Sequence, residues 1–313
     1  MKTNPIVSVV VPFLNEEENL PELYSRLKAV FSGRSETAEF LFVDDGSTDG
    51  SFQWLKKMSV EDPRVRTLQF SRNFGHQAAI TAGLDHASGD AVVIMDADLQ
   101  DPPEVLPDLL AKWSEGYEVI YAVRRKRAGE GFFKKLLAAG FYRIFRSLCS
   151  VKVPVDAGDF RLLDRNVVEA LKAMRETHRY MRGMTSWIGF RQCAVQYDRA
   201  ARHAGETKYP VWKSIKLAWD GITSFSAKPL QWMMNAGLLV ALVSVLFAFR
   251  IIWLKISGNG GLVSGWSSLS VLILFLGGIQ LVALGLLGQY ISRIFDESKK
   301  RPLYVVRKDG ADA

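Results

Sequence analysis

Two aspartates separated by one residue, Asp96 and Asp98, directly follow an apolar run at 91–95. Hard divalent cations such as Mg²⁺ and Mn²⁺ prefer oxygen ligands and usually take further oxygens from substrate phosphates. Because the two carboxylates stand at the end of a predicted strand, we predict that they bind Mg²⁺ or Mn²⁺. The alternative is a solvated turn, and we assign only Asp101 to it, as the cap of a helix that begins at the following prolines.

A second pair of acids, Asp44 and Asp45, follows an apolar run at 39–43. Gly46 permits a tight turn after the pair, and helix capping explains part of the polar stretch that comes next. Two adjacent acids at a strand end need another reason, and hydrogen bonding to a nucleobase or ribose supplies one. We therefore predict that Asp44, Asp45 and Ser47 contact a nucleotide.

Two more loops leave strand-like runs. Residues 12–15, between the run at 6–11 and the next helix, have backbone groups that could wrap the edge of a nucleobase. Arg72 and Asn73 follow the run at 65–70 and are predicted to line the nucleotide pocket, the alternative being an ordinary helix start. His76 is a single histidine without a nucleophile beside it, so we predict no catalytic dyad there.

Apolar runs alternate with amphipathic stretches through the first part of the chain. The runs have the length of strands, and the stretches between them carry apolar residues at helical spacing. This alternation predicts a mostly parallel sheet covered by helices on both faces, whose ligands bind at the carboxyl ends of the strands. We expect strands at 6–11, 39–43, 65–70 and 91–95, and helices at 20–31, 51–58 and 76–87.

The composition excludes a disordered chain and a wholly membrane-embedded one, because 23% of the 313 residues are charged and 48% are hydrophobic. A net charge of +7 fits nucleic acid, an anionic membrane surface or phosphorylated substrates, so the positions of the charges must decide between these partners.

Cys149 and Cys193 have no metal-type spacing and suggest no disulfide framework. The apolar run at 6–11 is short and leads into acids, which is the wrong pattern for a signal peptide.

Two long apolar stretches, at 230–254 and 269–291, follow the α/β part. Each exceeds 20 residues, enough for a helix to cross a hydrocarbon core. The alternative, two buried helices of a globular core, is disfavoured because soluble helices of this length seldom lack a polar face. Basic residues flank the pair rather than the short link, so the positive-inside rule places the α/β domain and both termini in the cytoplasm. These residues are Lys213, Lys216 and Lys228 before the pair, and Arg293, Lys299, Lys300, Arg301, Arg307 and Lys308 after it.

Two shorter stretches carry a membrane-surface signal. Residues 132–148 are basic and aromatic, with apolar residues at helical spacing, which suits a helix lying in the lipid interface. An ordinary surface helix packed on the domain is the alternative. Residues 211–229 give a weaker signal of the same kind.

Four motifs now stand in a recognisable order. They read Val-Pro-Phe-Leu-Asn-Glu, Val-Asp-Asp-Gly-Ser-Thr-Asp, Arg-Asn-Phe-Gly and Asp-Ala-Asp-Leu-Gln-Asp-Pro-Pro. Together they resemble family 2 glycosyltransferases with the GT-A fold. The likeness is greatest to polyprenyl-phosphate glycosyltransferases, relatives of dolichyl-phosphate mannose synthase, and within them to the bacterial undecaprenyl-phosphate glucosyltransferases. With the two apolar stretches it spans nearly the whole chain.

The resemblance implies roles for individual residues. Asp96 and Asp98 match the metal-binding pair of the family, and Gln100 is implied as a further ligand. Asp159 matches the catalytic carboxylate that precedes Phe-Arg, but many relatives carry Ser at this place, so Asp156 remains a competitor. The segment at 199–209 resembles one that closes over the diphosphate, and its alternative is a basic face toward the membrane. The implied nucleotide-sugar contacts are Pro12, Asn15, Glu16, Asp44, Asp45, Ser47, Arg72, Asn73, Asp96, Ala97, Arg199, Arg202 and Lys208.

The expected protein is an inverting hexosyltransferase of the cell (inner) membrane. Its donor would be a nucleotide-sugar, best UDP-glucose, and its acceptor a polyprenyl phosphate such as undecaprenyl phosphate, with no role for nucleic acid. Another nucleotide-sugar, another membrane acceptor and a non-enzymatic module are the alternatives. Processive polysaccharide synthases are disfavoured because no Gln-x-x-Arg-Trp segment is present and only two spans are predicted. The expected domains are a GT-A domain at 1–210, a juxtamembrane segment at 211–229, two transmembrane helices within 230–291 and a basic tail at 292–313, compatible with a homo-oligomer.

Overall fold

A computed structural model describes residues 5–125, 157–198, 228–257 and 265–307 of the chain. The chain divides into two units. The first is an α/β unit, whose described residues are 5–125, 157–198 and 301–307. The second is helical, and its described residues are 228–257 and 265–300. The short segment 301–307 therefore belongs to the α/β unit although it follows the last helix in sequence.

A seven-stranded mixed sheet forms the centre of the α/β unit. Its spatial order is β3-β2-β1-β4-β6-β5-β7, with β1 parallel to β2 and β4, β2 parallel to β3, and β5 parallel to β7. The strands are β1 (Ile6–Phe13), β2 (Thr37–Asp44), β3 (Val65–Gln69), β4 (Ala91–Ile94), β5 (Val119–Arg124), β6 (Ala157–Asp164) and β7 (Gln192–Tyr197).

Helices follow most strands and cover the sheet. In the α/β unit they are α1 (Leu20–Val30), α2 (Ser51–Glu61), α3 (His76–His86), α4 (Leu106–Ser114), α5 (Arg165–Ala173) and α6 (Met181–Trp187), with a 3₁₀ turn at Pro103–Val105. The first helix shows the pattern: Leu20, Leu23 and Leu27 fall on one face and are fully buried. Strand β1 is instead buried at seven of its eight positions, as expected for a parallel strand with both faces covered.

Strand β6 is the exception to the parallel pattern. It lies between β4 and β5 and runs antiparallel to both. Its register pairs Ala91 with Asp164 and Ile94 with Arg161. The start of β6 therefore comes to the same edge of the sheet as the end of β4, where ligands of such sheets bind.

Two long helices, α7 (Lys228–Ile256) and α8 (Trp266–Ser298), form the second unit and contact one another. Their windows Leu230–Phe247 and Phe275–Ser298 are long and apolar enough to cross a membrane. None of the described side chains in these windows is buried by the rest of the chain.

The predicted fold class is confirmed: a mostly parallel α/β sheet flanked by helices, with two apolar helices toward the C-terminus. The prediction that Asp101 caps a helix is wrong. The 3₁₀ turn has Pro102 at its N-cap without a side-chain hydrogen bond. The carboxylate of Asp101 is buried and accepts a hydrogen bond from the hydroxyl of Tyr197 instead. The interfacial helix expected at 132–148 and most of the segment 211–229 lie outside the described residues, so these domain predictions stay predictions.

Candidate active site

The loops that leave β1 and β2 are joined by their own polar side chains. Asn15 has a left-handed backbone, with φ of 56°, which asparagine tolerates better than most residues. Its N–H donates to Ser47 Oγ at 3.0 Å, and its side-chain oxygen accepts from the N–H of Thr48 at 2.8 Å. The N–H of Glu16 donates to Ser51 Oγ at 3.0 Å. The predicted nucleotide contacts Asn15, Glu16 and Ser47 therefore lie together at one edge of the sheet.

Pro12 and Asp44 stand at the ends of the two strands beneath these loops. Pro12 is buried in β1 and pairs in register with Val43. Asp44 is fully buried, and its carboxylate accepts from the N–H of Ser47 at 2.8 Å and from Gln69 Nε2 at 3.1 Å. These bonds fix the carboxylate at the carboxyl end of β2, and its contact with a nucleotide stays a prediction.

Asp45 anchors the neighbouring loop. Its carboxylate accepts from the N–H of Phe74 at 2.7 Å and from the N–H of Gly75 at 3.0 Å. Burial raises the pKa of Asp45, and the two amide donors only partly offset this effect. Arg72 and Asn73 lie exposed on the anchored loop, with the Arg72 guanidinium 3.9 Å from the ring centre of Phe74. Asp45 thus holds the loop that carries Arg72 and Asn73 through hydrogen bonds to its backbone amides.

Asp159 and Asp96 meet across the antiparallel pair of β6 and β4. The register that pairs Ile94 with Arg161 places position 159 opposite position 96 when it is continued by two residues. Both carboxylates approach the same imidazole, that of His76: Nε2 lies 3.5 Å from Asp96 Oδ1 and 3.6 Å from Asp159 Oδ2. The predicted metal-binding acid and the predicted catalytic acid are therefore neighbours.

The carboxylate of Asp159 is held by arginines. Arg182 on α6 donates to it from Nε at 3.0 Å and from Nη2 at 3.2 Å, and Arg161 Nη2 lies 3.8 Å away. Burial alone would raise the pKa of Asp159, but the facing His76 and the two guanidinium groups outweigh it and hold this pKa well below its usual range. Arg161 is itself buried, which lowers its pKa to about 10. At neutral pH Asp159 is an ionised carboxylate with very little basicity.

His76 begins α3 and sits between the two acids. Crowding by protein atoms would lower the pKa of this imidazole, but the contacts with Asp159 and Asp96 outweigh that effect and raise it to about 9. The ring still keeps 40% of its surface exposed, so part of this charge effect is screened by solvent. The histidine thus has two charged partners, Asp96 and Asp159, that the sequence did not indicate.

The residues around Asp96 fit a divalent cation. Asp96 Oδ1 is shielded from solvent and accepts no hydrogen bond within the described residues, although His76 Nε2 lies 3.5 Å from it. A cation bound by this oxygen would take the place of the imidazole as its positive partner. Burial raises the pKa of Asp96 to about 6, despite the nearby imidazole. Asp98 and Gln100 follow in the same turn, where the N–H of Gln100 donates to Asp98 Oδ1 at 3.1 Å, while Ala97 between the acids is buried.

No group of three or more His, Cys, Asp or Glu residues arranged to hold a metal occurs in the described ranges. A cation at Asp96 and Asp98 would therefore need further oxygens from a bound phosphate, as Mg²⁺ commonly does. Four predicted site residues, Asp156, Arg199, Arg202 and Lys208, lie outside the described residues.

Sequence reasoning missed Arg182 and the role of His76. Arg182 belongs to the short helix α6, whose sequence Met-Arg-Gly-Met-Thr-Ser-Trp carries no motif that indicates an active site. The contact depends on how α6 packs against β6, and such packing has no local signature. The contact of His76 with Asp96 could not be inferred from the motif Asp-x-Asp alone, because it depends on the order of the strands in the sheet.

Comparison with known proteins shows the family of the chain. The model of the family described as Glycosyl transferase family 2 matches residues 8–172. An uncharacterized glycosyltransferase of Bacillus subtilis, YkcC, is 52% identical over 301 residues, covering 96% of this chain and 93% of the relative. The prophage bactoprenol glucosyl transferase homolog of Escherichia coli K12 is 44% identical, covering 96% and 98%. The bactoprenol glucosyl transferase of Shigella phage SfV is also 44% identical, covering 97% and 98%. The match over half of the chain and the near full-length relatives show that this chain belongs to glycosyl transferase family 2.

Proposed function

We propose that the chain transfers glucose from UDP-glucose to the phosphate of a polyprenyl lipid, undecaprenyl phosphate. The observation that carries the proposal is the 44% identity, over nearly the full length of both chains, to proteins named as bactoprenol glucosyl transferases. That likeness includes the two apolar helices as well as the α/β unit. The choice of UDP as the nucleotide follows from the resemblance of the motifs at the strand ends.

The reaction would be a single displacement with inversion at the anomeric carbon. An oxygen of the lipid phosphate forms a bond to that carbon while the bond to the β-phosphate oxygen of UDP breaks, and UDP leaves with the electron pair. A divalent cation, Mg²⁺ or Mn²⁺, would supply positive charge to the departing diphosphate. Asp96 and Asp98 would hold it, with Gln100 beside them.

The low pKa of Asp159 and its pairing with Arg182 favour a phosphate acceptor. A hydroxyl acceptor, as on a diacylglycerol or a growing glycan, needs a base to take its proton, whereas a lipid phosphate is already anionic at neutral pH. The carboxylate of Asp159 is paired with Arg182, and its low pKa makes it a poor base. Asp159 would accordingly orient sugar or acceptor hydroxyl groups rather than remove a proton.

The nucleotide would be held by the loops after β1, β2 and β3. Asp44, Asn15 and Ser47 already form one hydrogen-bonded edge, and Arg72 stands exposed on the adjoining loop. A guanidinium beside a diphosphate gains charge-assisted hydrogen bonds. Arg199, Arg202 and Lys208 are proposed from resemblance alone to close over the same diphosphate.

The proposed acceptor requires a membrane location. The apolar side chains of α7 and α8 are not buried by the chain, and a lipid core would cover them. Lys228 before the pair and Arg293, Lys299 and Lys300 near its end favour an arrangement with the α/β unit and both termini in the cytoplasm. The protein would then be a two-span protein of the cell (inner) membrane, acting on a lipid whose phosphate lies at headgroup level.

The test is a transfer assay with the full-length protein in detergent. Radiolabelled UDP-glucose, undecaprenyl phosphate and Mg²⁺ are expected to give label in the lipid phase, and EDTA or Asp98→Asn should abolish it. Asp108→Asn is the matched control, because Asp108 is exposed on α4 outside the site and its loss should leave transfer unchanged. Label on a phosphate-free lipid would contradict the acceptor. Transfer only from another nucleotide-sugar, such as GDP-mannose, would contradict the sugar.

A further inference from the structure

The chain returns to the α/β unit after its last long helix. Residues 301–307, called here the C-terminal segment, meet the chain at the end of β3, which is the edge strand of the sheet. Phe70 and Val306 form an antiparallel bridge, and the N–H of Ser71 donates to the carbonyl of Val305 at 3.0 Å. The N–H of Arg307 donates to the carbonyl of Gln69 at 2.7 Å, so residues 305–307 pair with residues 69–71.

Tyr304 locks the C-terminal segment in place. Its ring stacks on Phe70, with centroids 5.2 Å apart and planes at 15°, and Phe70 is almost fully buried. Its hydroxyl donates to Asp85 Oδ2 at 2.9 Å, and Asp85 also accepts two hydrogen bonds from Arg175. The stack on Phe70 and the hydrogen bond to Asp85 together hold the C-terminal segment against the α/β unit.

The contacts continue from Tyr304 to the predicted nucleotide loop. Phe70 meets Phe74 edge to face, with centroids 5.6 Å apart, and the Arg72 guanidinium lies 3.9 Å from the centre of the Phe74 ring. The loop that carries Arg72 is thus held at its start by the C-terminal segment, through the N–H of Ser71. Its far end is held by Asp45, which accepts from the amides of Phe74 and Gly75.

We infer that Tyr304 is a positioning residue for nucleotide-sugar binding, acting through the stack on Phe70 and Phe74 to set the loop that carries Arg72 and Asn73. The inference rests on the proposed function for the identity of the ligand, and on the contacts above for the mechanism. Arg72 and Asn73 are exposed. Their loop is anchored at its start by the C-terminal segment and at its far end by Asp45, and its backbone also lies close to Gly46. Loss of the first anchor should therefore loosen the start of the loop. A loop that is already held in its binding conformation loses less conformational entropy when the donor binds.

The experiment compares three variants of the full-length protein in detergent. Tyr304→Ala removes both the ring and the hydroxyl, whereas Tyr304→Phe keeps the ring and should rescue the effect. Val305→Ala is the control, because its side chain is exposed and only its backbone carbonyl holds the loop. We expect Tyr304→Ala to raise the donor Kd and KM about tenfold while kcat at saturating donor stays within about twofold of the wild type. The other two variants should remain near the wild type in all three constants.

Hydrogen exchange supplies a readout that does not depend on turnover. In Tyr304→Ala, backbone amides at 71–75 should exchange at least about tenfold faster, while those of β1 and β4 stay unchanged. A lower Tm with unchanged donor Kd and unchanged exchange at 71–75 would overturn the inference and leave Tyr304 with a structural role only. A wild-type protein that binds no UDP-glucose would overturn the proposed function instead, and the exchange measurement would then decide the inference alone.

Discussion

Arg182 donates two hydrogen bonds to the carboxylate of Asp159, from Nε at 3.0 Å and from Nη2 at 3.2 Å. The two donors of one planar guanidinium fix both the position and the rotation of the carboxylate. They also hold the pKa of Asp159 low, so that this acid stays charged throughout the physiological pH range. A side chain fixed in this way can accept hydrogen bonds from a substrate, but it is a poor acceptor for a proton.

Removing Arg182 should damage both the fold and the reaction. Among the described residues, Arg182→Ala leaves the mostly buried Asp159 carboxylate with Arg161 and His76 as its charged partners. The loss of two charge-assisted hydrogen bonds should cost about 2 kcal/mol of unfolding free energy. We expect kcat to fall at least about tenfold because Asp159 loses its orientation. Denaturant unfolding and the transfer assay measure the two effects.

Arg26→Ala is the control for that experiment. Arg26 forms a two-pronged pair with Glu104 at the surface, and such exposed pairs contribute less than about 1 kcal/mol. A second check is the double-mutant cycle of Arg182→Ala and Asp159→Asn: because the two side chains are paired, the double variant should lose less stability than the sum of the two single variants. Strictly additive losses would argue against the pairing.

Gly46 tests the packing beneath the nucleotide loop. Its φ is +83°, and a Cβ placed there would lie 2.8 Å from the backbone of both Arg72 and Asn73, which has little freedom to move. Gly46→Ala should therefore raise the donor KM about tenfold through displacement of the loop, in addition to a backbone strain of about 1 kcal/mol. Steady-state kinetics and thermal unfolding give the two numbers.

Gly33→Ala is the control that separates backbone strain from displacement of the loop that carries Arg72 and Asn73. Gly33 also has a left-handed backbone, with φ of +75°, but nothing lies within 4 Å of the Cβ position. This variant should show the strain of about 1 kcal/mol without any change in donor KM. If both variants change KM alike, the close approach of Gly46 to the loop has no part in donor binding.

The first half of the α/β unit could be predicted because its signals are local. Apolar runs and helical spacing gave β1–β4 and α1–α3 with boundaries within a few residues, since each run is terminated by turn residues close in sequence. The acids at the strand ends were found for the same reason. The position of Asp159 followed from a family resemblance and not from any local pattern.

Long-range pairing explains what could not be predicted. The insertion of β6 between β4 and β5, which brings Asp159 to Asp96, depends on strand order and register. Part of the region 292–313, predicted as a basic tail, contacts the α/β unit through Tyr304, and this long-range contact has no local sequence signal. Asp101 was assigned to a cap because the prolines suggested one, while its partner Tyr197 lies 96 positions away.

Metal binding should depend on the protonation of Asp96. Burial raises the pKa of this carboxyl group to about 6, so its proton competes with a cation in mildly acidic solution. The affinity for Mn²⁺ in the presence of UDP should fall as the pH drops below about 6, and it should be at least about tenfold weaker in Asp96→Asn at neutral pH. Titration followed by electron paramagnetic resonance measures free Mn²⁺ directly. A wild-type affinity that stays constant from neutral pH to well below pH 6 would contradict this assignment.

His76 should contribute a pH-dependent stabilisation through its two acids. Its folded pKa, about 9, exceeds the ordinary value of 6.5, so its stabilising effect is fully present below about pH 6.5 and is lost as the pH rises through about 9. The difference in Tm between the wild type and His76→Gln should therefore be largest near pH 6 and should vanish near pH 10. His76→Lys keeps a positive charge between Asp96 and Asp159 and should retain more transfer activity than His76→Gln, whose kcat we expect to fall about tenfold. A Tm difference that does not change with pH would mean that His76 packs against the two acids without its charge.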